Sequence, residues 1–392
     1  MNMSYKSNGN DIYGNYNDDS TFPLVQSAIR HMKNVYPNPD FIIVNGDSGV
    51  HGKISNEELS SSIRNLTKEF KLYFPSTLFL PSLGNHDIKP ENMIAENSTW
   101  CQNYYNLWKD LLNTATISDI NTFKKGCFYS YSHKSQKLMV IVLNTLLWYT
   151  VNKYVQTLSD PLNQFVWFEQ KLKESKKNNL KVFVMAHVPP GASEYSPQLF
   201  KHLHPHFNER FLMIMQNYSD IIDAGFFAHQ HTDAFKIVYN NKNEPVIPLL
   251  VSPSITPYNL WDLGSLNPSV RLYIWNGTSD KSKYLQYHTH IPTKVNDFKN
   301  HSLTWLLEYP STNLSSSLSA KSLDELVNDF ASPSSIYFPS FFTYHLSGQL
   351  HDDRDCSVYS MCRCRFVCGT KNIDYTKLQS CLDKCPIKKS VK

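Results

Sequence analysis

The most informative stretch of the sequence is a short polar run that follows an apolar segment. Residues 77–80 predict a buried strand, and Gly84, Asn85, His86 and Asp87 come shortly after it. An amide oxygen is a ligand for a hard cation, an imidazole exchanges a proton near neutral pH, and a neighbouring carboxylate fixes the imidazole's tautomer. We therefore expect Asn85 to bind a metal, His86 to act in proton transfer and Asp87 to orient it.

Three further predicted strands each have a carboxylate or an imidazole just past their ends. These residues are Asp47 with His51 four positions later, His187 before a Val-Pro-Pro-Gly run, and His229 with His231. Polar groups at the ends of buried strands have a rigid support, which is a common way to build a site. Mixed oxygen and nitrogen donors of this kind suit zinc, manganese or iron. The pattern predicts a metal centre at the ends of several strands.

The elements that would position these residues alternate between helices and strands. Helical periodicity covers residues 22–32, 56–73, 100–115 and 165–176, and strands are predicted at 41–44, 77–80, 137–144, 182–186, 224–228, 235–239, 248–252 and 271–274. This alternation is typical of an α/β protein. Residues 302–359 are rich in Ser and aromatic residues, and we predict that they are helical.

In order and in local sequence, these motifs resemble the calcineurin-like metallophosphoesterases, and within them the acid sphingomyelinase-like phosphodiesterases. The resemblance rests on Gly46-Asp47, Gly84 to Asp87, Ala186 to Gly191, His229-x-His231, Asn267-Pro268 with Arg271, and the cysteine-rich end. It implies a four-layer α/β sandwich of two mixed sheets flanked by helices, with a small helical, disulfide-stapled C-terminal subdomain. We divide the chain accordingly into an opening loop (1–20), a catalytic domain (21–300) and that subdomain (301–392).

The resemblance also implies roles for individual residues. The implied metal ligands are Asp47 as a bridge between two zinc ions, Asn85, His187 and His229 for one ion, and His231 for the other. The reaction would be hydrolysis of a phosphodiester or pyrophosphate, of the sphingomyelin or nucleotide type, by metal-bound hydroxide. His86 and His51 would be the catalytic acids, and the sequence does not decide which of them protonates the leaving group.

One motif of this family is missing. Its members carry an Asp-x-His on the first strand, which supplies two ligands to the site of His231, and no Asp-x-His precedes Asp47 here. Asp11, Asp18 and Asp19 are the acidic residues of the opening loop, and we interpret them as poor substitutes. One zinc site is therefore complete and the other half-complete. Either the sequence lacks its true start, or the chain is a one-metal or inactive relative.

Two alternative functions follow from these departures. A catalytically impaired secreted glycoprotein that binds a lipid or a partner would explain the missing motif. A purple-type acid phosphatase would need a tyrosine three residues after Asp47, where the sequence has Val50. The first alternative stays open, and Val50 argues against the second.

A further group of histidines alternates along residues 202–206. Such a run resembles a metal-binding tract. Because the strand ends already supply the metal ligands, we interpret His202, His204 and His206 as a loop or a rim of the substrate site.

Size and charge exclude some classes of partner. The 392 residues are enough to bury a large core, and a net charge of +4 is too small to indicate a nucleic acid. No apolar run reaches the roughly 18 residues that a membrane-spanning helix needs. We expect a monomer that acts on a small-molecule or lipid phosphodiester.

The cysteines favour an oxidising compartment. Six of the eight cysteines follow residue 355, and six Asn-x-Ser/Thr acceptor sites lie beyond residue 60. The resemblance pairs Cys368 with Cys381 and leaves the rest of this group open. Cys101 and Cys127 form either a local bridge or two buried thiols. Residues 1–10 are polar and contain no signal peptide, so we expect a secreted or lysosomal protein whose start is missing.

Overall fold

The chain folds into layers of sheets and helices. The computed structural model describes residues 3–4, 12–112, 117–257, 265–291, 303–349, 356 and 361–386. The helices are α1 (Phe22–Val35), α2 (Asn56–Tyr73), α3 (Trp100–Trp108), α4 (Ile120–Gly126), α5 (Gln164–Lys177), α6 (Pro205–Asn217), α7 (Ala320–Ala331), α8 (Phe338–His345), α9 (Met361–Lys371) and α10 (Tyr375–Leu382). The strands are β1 (Met3–Ser4), β2 (Ser20–Thr21), β3 (Phe41–Val44), β4 (Leu78–Pro81), β5 (Ile117–Ser118), β6 (Tyr129–His133), β7 (Leu138–Val142), β8 (Lys181–Met185), β9 (Ile222–Phe227), β10 (Ala234–Tyr239), β11 (Pro245–Val251), β12 (Ser269–Asn276), β13 (Thr278–Thr289) and β14 (Trp305–Pro310).

Local sequence signals fix the start and the buried face of α2. Ser55 Oγ accepts a hydrogen bond from the Glu58 N–H (3.1 Å), and the Glu58 carboxylate accepts one from the Ser55 N–H (2.8 Å). Apolar residues then recur at helical spacing and are buried: Leu59, Ile63, Leu66 and Phe70. The helix predicted over residues 56–73 is confirmed.

A mixed seven-stranded sheet lies at the centre of the molecule, in the order β10-β11-β9-β8-β7-β6-β5. A second layer contains the antiparallel sheet β12-β13-β14 and the parallel pair β3-β4. Phe183 of β8 and Phe226 of β9 pack against Trp275 and Tyr273 of β12, with ring centroids 4.8 Å and 5.1 Å apart. These aromatic contacts form part of the core between the two layers.

Helices cover the outer faces of both layers. α1 packs against α2 and β12, whereas α5 packs against β7 and β8, and α6 and α7 pack against β10. The resulting order of helix, sheet, sheet and helix confirms the predicted fold class. None of the described helices combines the length and the apolar character needed to cross a bilayer.

Two elements differ from their predictions. The helix predicted over residues 100–115 ends at Trp108. We predicted helices from residue 302, but residues 305–310 form β14, which pairs antiparallel with β13. In a short run of mixed apolar and polar residues, the periodicity does not distinguish a strand from a helical turn. Pairing with a neighbouring strand then determines the conformation. The β12-β13-β14 sheet thus extends past residue 300, and the long helices of the C-terminal region begin with α7.

Four disulfides staple the fold. They are Cys101–Cys127, Cys356–Cys362, Cys364–Cys385 and Cys368–Cys381. The predicted Cys368–Cys381 bridge is confirmed, and Cys101 and Cys127 are bonded to each other rather than free. The pairing of the remaining four cysteines is now defined.

Removing the Cys101–Cys127 bridge is expected to lower the free energy of unfolding by about 2–4 kcal/mol. The bridge joins two cysteines 26 positions apart, and opening it would release conformational entropy in the unfolded chain. Urea denaturation of the Cys101→Ser/Cys127→Ser variant, without reducing agent, measures this loss. A double variant as stable as the wild type would show that the bridge adds nothing to stability.

The C-terminal helices are attached to the loop that follows β8. Lys236 and Glu194 form a fully buried ion pair, and Lys236 Nζ also donates to the Ala192 carbonyl oxygen (2.6 Å). The Tyr375 hydroxyl of α10 donates to the Gly191 carbonyl oxygen (3.0 Å). The loop is therefore held from the sheet side and from the C-terminal side.

Candidate active site

Four strand ends bring Asp47, Asn85, His187 and His229 together. These residues follow β3, β4, β8 and β9. His187 Nε2 lies 3.1 Å from Asp47 Oδ2 and 2.9 Å from Asn85 Oδ1, and His229 Nδ1 lies 2.9 Å from Asn85 Oδ1. Ligands held about 2 Å from one ion lie about 3 Å apart. The group therefore has the spacing and the donor types that one divalent cation requires.

The charge states of these residues also suit a cation. Burial, with a contribution from His187, lowers the pKa of His229 to about 3. Burial likewise holds the pKa of His231 well below its usual range. Although burial opposes ionisation of Asp47, His187 and His86 hold its pKa well below the usual range. Neutral imidazoles beside an ionised carboxylate are the forms in which these side chains bind metals.

Two glycines allow the loops after β3 and β4 to approach each other. A Cβ atom on Gly84 would lie 2.1 Å from Asp47 N, and one on Gly46 would lie 2.6 Å from Gly84 N. No side chain fits at either distance, so the contact between the two loops depends on glycine at both positions.

Several predicted ligands have a strained backbone. Asp47 (φ 56°), His229 (φ 72°) and His231 (φ 62°) all adopt the left-handed conformation. For residues other than glycine this conformation costs on the order of 1–3 kcal/mol, and it is concentrated at functional sites, where the surrounding structure enforces it. Three of the residues that the sequence motifs single out therefore have this conformation.

Asp87 organises the loop after β3. Its carboxylate accepts hydrogen bonds from the backbone N–H groups of Gly84 and Asp47 (both 2.9 Å), Ser48 (2.6 Å) and Gly49 (3.1 Å). The prediction that Asp87 orients the imidazole beside it is therefore wrong. A buried carboxylate satisfies main-chain donors that would otherwise have no partner, and three of these four donors belong to the loop that carries Asp47.

His86 and His51 lie side by side, with ring centroids 4.1 Å apart. His86 Nδ1 is 3.3 Å from Glu91 Oε2, and the backbone N–H of His86 donates to Asp47 Oδ1 (2.8 Å). Burial would lower the pKa of His86, but Asp47 and Glu91 outweigh it and raise that pKa above its usual value. His86 is thus suited to carry a proton near neutral pH. No sequence motif pointed to Glu91.

Asp19, which we interpreted as a poor substitute for a metal ligand, contacts His51 instead. Asp19 Oδ1 accepts a hydrogen bond from His51 Nδ1 (2.7 Å), and Oδ2 accepts one from the His51 N–H (2.8 Å). Thr256 Oγ1 also donates to Asp19 (3.3 Å). These bonds fix the tautomer and the ring plane of His51. One indication of a role for Asp19 was available in the sequence, which is its position inside the opening segment that resembles the family. The spacing of residues along the chain did not show that its partner is His51.

The Asp19→Asn variant is expected to lower kcat for phosphodiester hydrolysis by about tenfold, because an amide neither accepts as strongly from the imidazole nor fixes its tautomer. KM should change little. Asp18→Asn is the matched control, since Asp18 is adjacent and exposed. Steady-state kinetics of both variants measure the effect. Equal rates for the two variants would show that Asp19 does not position His51.

His231 lies close to His51, with ring centroids 5.7 Å apart. Its Nδ1 is buried and has no hydrogen-bond partner among the described residues. Within the same part of the chain, His231 belongs to no cluster of three carboxylate or imidazole ligands. Among the described residues, His231 thus lies next to the centre but outside a set of three ligands.

The alternating histidines divide into two groups. His202 is buried, with its ring centroid 5.6 Å from that of His229, and burial holds its pKa well below the usual range. His204 and His206 lie at the start of α6 instead. Tyr149, which no motif indicated, places its hydroxyl 3.3 Å from His229 Nε2. Of the three histidines, His202 borders the site.

Two packed layers with oxygen and nitrogen donors at their strand ends are the arrangement that the resemblance to the metallophosphoesterases implies, and comparison with known families agrees. Residues 10–233 match the calcineurin-like phosphoesterase family, and residues 244–388 match the acid sphingomyelin phosphodiesterase C-terminal region. The chain belongs to the calcineurin-like phosphoesterase family, which confirms the resemblance seen in the sequence.

Individual relatives indicate which kind of phosphoesterase this chain is similar to. The chain is 34% identical over 322 residues to sphingomyelinase phosphodiesterase C of Dictyostelium discoideum, covering 79% of this chain and 70% of the relative. It is 32% identical over 385 residues to the human cyclic GMP-AMP phosphodiesterase SMPDL3A, covering 96% of this chain and 83% of the relative. Human acid sphingomyelinase-like phosphodiesterase 3b is 29% identical over 389 residues, covering 94% and 82%. The predicted enzyme class, phosphoric diester hydrolase, is confirmed.

Proposed function

We propose that this chain hydrolyses phosphodiesters at a zinc centre held by Asp47, Asn85, His187 and His229. The observation that carries the proposal is the convergence of these four side chains at contact distances that fit one ion. Two imidazoles among oxygen donors favour zinc over magnesium or calcium. When bound, zinc offsets negative charge on the phosphoryl oxygens and makes a water molecule acidic enough to attack phosphorus near neutral pH.

We assign different roles in the reaction to the two neighbouring imidazoles, those of His86 and His51. His86, whose pKa is raised by Asp47 and Glu91 against the effect of burial, protonates the departing oxygen. His51, whose Nδ1 is hydrogen-bonded to Asp19, donates a hydrogen bond from Nε2 to a phosphoryl oxygen when its ring carries both protons. The bridging role of Asp47 and a second-site role of His231 also belong to this proposal. The distances among the four side chains support a site for one ion.

The proposal includes two candidate substrate classes, lipid phosphodiesters and nucleotide phosphodiesters. One relative is named a sphingomyelinase and another a cyclic GMP-AMP phosphodiesterase, so both kinds of phosphodiester are candidate substrates. Four disulfides suit an oxidising compartment, which supports a secreted or lysosomal glycoprotein. We propose that it acts as a monomer.

Hydrolysis of three substrates tests the proposal: bis(p-nitrophenyl) phosphate, sphingomyelin in vesicles and cyclic GMP-AMP. The Asn85→Ala variant should lose at least about 100-fold in rate, because it removes a metal ligand. His206→Ala is the control, since this histidine is exposed and lies away from the centre. Wild-type protein no faster than Asn85→Ala on all three substrates would favour the catalytically impaired glycoprotein.

A further inference from the structure

Two neighbouring loops carry a group of exposed apolar side chains. The first loop covers residues 149–159 and the second covers residues 195–204. Four large apolar side chains on these loops are about half exposed or more, namely Val151 (46%), Tyr154 (56%), Leu199 (70%) and Phe200 (52%). We call these four side chains the apolar rim. Single exposed apolar residues are common on protein surfaces, whereas a group of them on adjoining segments indicates an interaction site.

Hydrogen bonds join the two loops into one surface. The Thr150 N–H donates to the His202 carbonyl oxygen (2.9 Å), and Thr150 Oγ1 donates to the Lys201 carbonyl oxygen (2.8 Å). Val151 and Phe200 are each adjacent in sequence to this contact. The exposed side chains of both loops therefore belong to one continuous surface.

The bases of both loops contact the metal centre. The Tyr149 hydroxyl lies 3.3 Å from His229 Nε2, and the ring centroids of His202 and His229 are 5.6 Å apart. Tyr149 and Leu203 form a single antiparallel β-bridge, and the Tyr375 hydroxyl of α10 donates to the Leu203 carbonyl oxygen (2.8 Å). The apolar rim thus lies beside the metal centre, on a base that α10 holds in place.

The charge of the two loops favours an anionic partner. They contain Lys153 and Lys201, both exposed, and neither loop contains an aspartate or a glutamate. Lys201 Nζ lies over the Tyr375 ring at 4.9 Å, a contact that leaves its positive charge uncompensated. The carboxylate of Asp160, which follows the first loop, is paired with Arg210 (3.4 Å). The surface around the apolar rim is therefore positively charged.

We propose that the apolar rim binds the surface of a lipid bilayer that contains anionic lipids. Leu199 and Phe200 enter the headgroup region, where aliphatic and aromatic side chains leave water, and the two lysines contact the anionic headgroups. The core of a protein interface is depleted in lysine, whereas an anionic bilayer attracts it. Because the base of the rim contacts His229, this orientation turns the metal centre toward the membrane.

Membrane binding goes beyond the proposed hydrolysis and is measured without it. The rim supplies none of the four metal ligands, so its contact with a bilayer does not require a working centre. A centre that faces a membrane favours a lipid phosphodiester over a soluble nucleotide as substrate. That choice of substrate rests on the proposed function, whereas the binding itself does not.

Flotation of the full chain with lipid vesicles tests the proposal. The probes are vesicles of phosphatidylcholine mixed with phosphatidylserine, and vesicles of phosphatidylcholine alone. We expect the protein to float with the mixed vesicles and to bind them about tenfold more tightly than the uncharged ones, because the lysines are attracted to the anionic surface. Added salt should reduce this difference, since it screens exposed charges.

Matched variants test which surface binds. Leu199→Ser/Phe200→Ser should lower vesicle binding at least about tenfold, because two apolar side chains are lost from the interface. Leu72→Ser is the control, since Leu72 is also 70% exposed but lies near the end of α2 that leads to the start of β4, away from the strand ends at the metal centre. Hydrolysis of bis(p-nitrophenyl) phosphate should be the same in all of these proteins, and circular dichroism checks their folding independently of activity.

Two results would overturn the proposal. They are the absence of flotation with both kinds of vesicle, and equal flotation of Leu199→Ser/Phe200→Ser and Leu72→Ser. A wild-type dimer that becomes monomeric in Leu199→Ser/Phe200→Ser, seen by sedimentation velocity without flotation, would show instead that the rim binds a second copy of the chain.

The same measurements separate this proposal from the proposed function. Wild-type protein that floats with the mixed vesicles but hydrolyses no diester would support the membrane surface and contradict the hydrolysis. Wild-type protein that hydrolyses bis(p-nitrophenyl) phosphate but does not float would contradict the membrane surface alone.

Discussion

Replacing His86 with alanine is expected to slow phosphodiester hydrolysis by about 10²–10⁴-fold, the usual contribution of a positioned acid or base. His86 lies between Asp47 and Glu91, which together raise its pKa against the effect of burial, and its backbone N–H is bonded to Asp47 Oδ1. The loss should fall on kcat, because the proton is needed in the transition state. Initial rates of wild-type and His86→Ala protein measure it.

Substrates with different leaving groups distinguish the proposed roles of His86 and His51. A p-nitrophenolate ion departs readily without a proton, whereas an alkoxide does not, so His86→Ala should lose far more activity on an alkyl diester than on bis(p-nitrophenyl) phosphate. His51→Ala is the matched variant, and it should lose activity equally on both substrates, since we assign it to a phosphoryl oxygen. The reverse pattern would exchange the two roles, and wild-type rates for His86→Ala on both substrates would contradict the catalytic assignment.

The Arg271→Leu variant is expected to lower the free energy of unfolding by about 3–5 kcal/mol, because it leaves a buried carboxylate without its cation. Arg271 Nη2 lies 2.5 Å from Asp233 Oδ1, and the two side chains are 2% and 1% exposed. Arg271 also stacks over the Tyr284 ring at 4.1 Å, and Tyr309 donates to Asp233. Urea denaturation measures the loss.

A surface ion pair gives the matched control for this variant. Lys176 Nζ lies 2.8 Å from Asp220 Oδ2, with both side chains more than half exposed. Lys176→Leu should therefore cost less than about 1 kcal/mol. Equal losses for Arg271→Leu and Lys176→Leu would show that burial of the Arg271–Asp233 pair is not what makes it important. Because Asp233 follows His231 by two residues, Arg271→Leu should also lower catalytic activity.

Residues with a local signal were predictable from the sequence. Asp47, Asn85, His187 and His229 each lie two to four residues past the end of an apolar strand, so their convergence follows from strands that end at the same edge of the layers. The resemblance to the family implied that the further ligands of His231 are missing, and this stays a prediction. Among the described residues, His231 Nδ1 has no hydrogen-bond partner.

Residues whose partners are distant in sequence were not predictable. Asp19 is 32 positions from His51, and no periodicity connects them. Asp87 is beside His86 in sequence, yet its carboxylate points to the backbone of the loop after β3. Glu91 needs the turn after β4 to reach His86. In each case the partner is set by how loops meet in space, which spacing along the chain does not encode.

The strand β14 shows the same limit at the level of secondary structure. Residues 305–310 carry no clear period, and their conformation is decided by pairing with β13.

Zinc titration of metal-free protein tests the central claim most directly. The protein is stripped with a chelator, zinc is added back in steps, and both bound zinc and the rate of bis(p-nitrophenyl) phosphate hydrolysis are recorded. We predict that the stripped protein is inactive, that the rate rises in proportion to the zinc bound, and that Asn85→Ala binds zinc more weakly. Stripped protein that hydrolyses the diester as fast as the zinc-loaded protein would contradict the account.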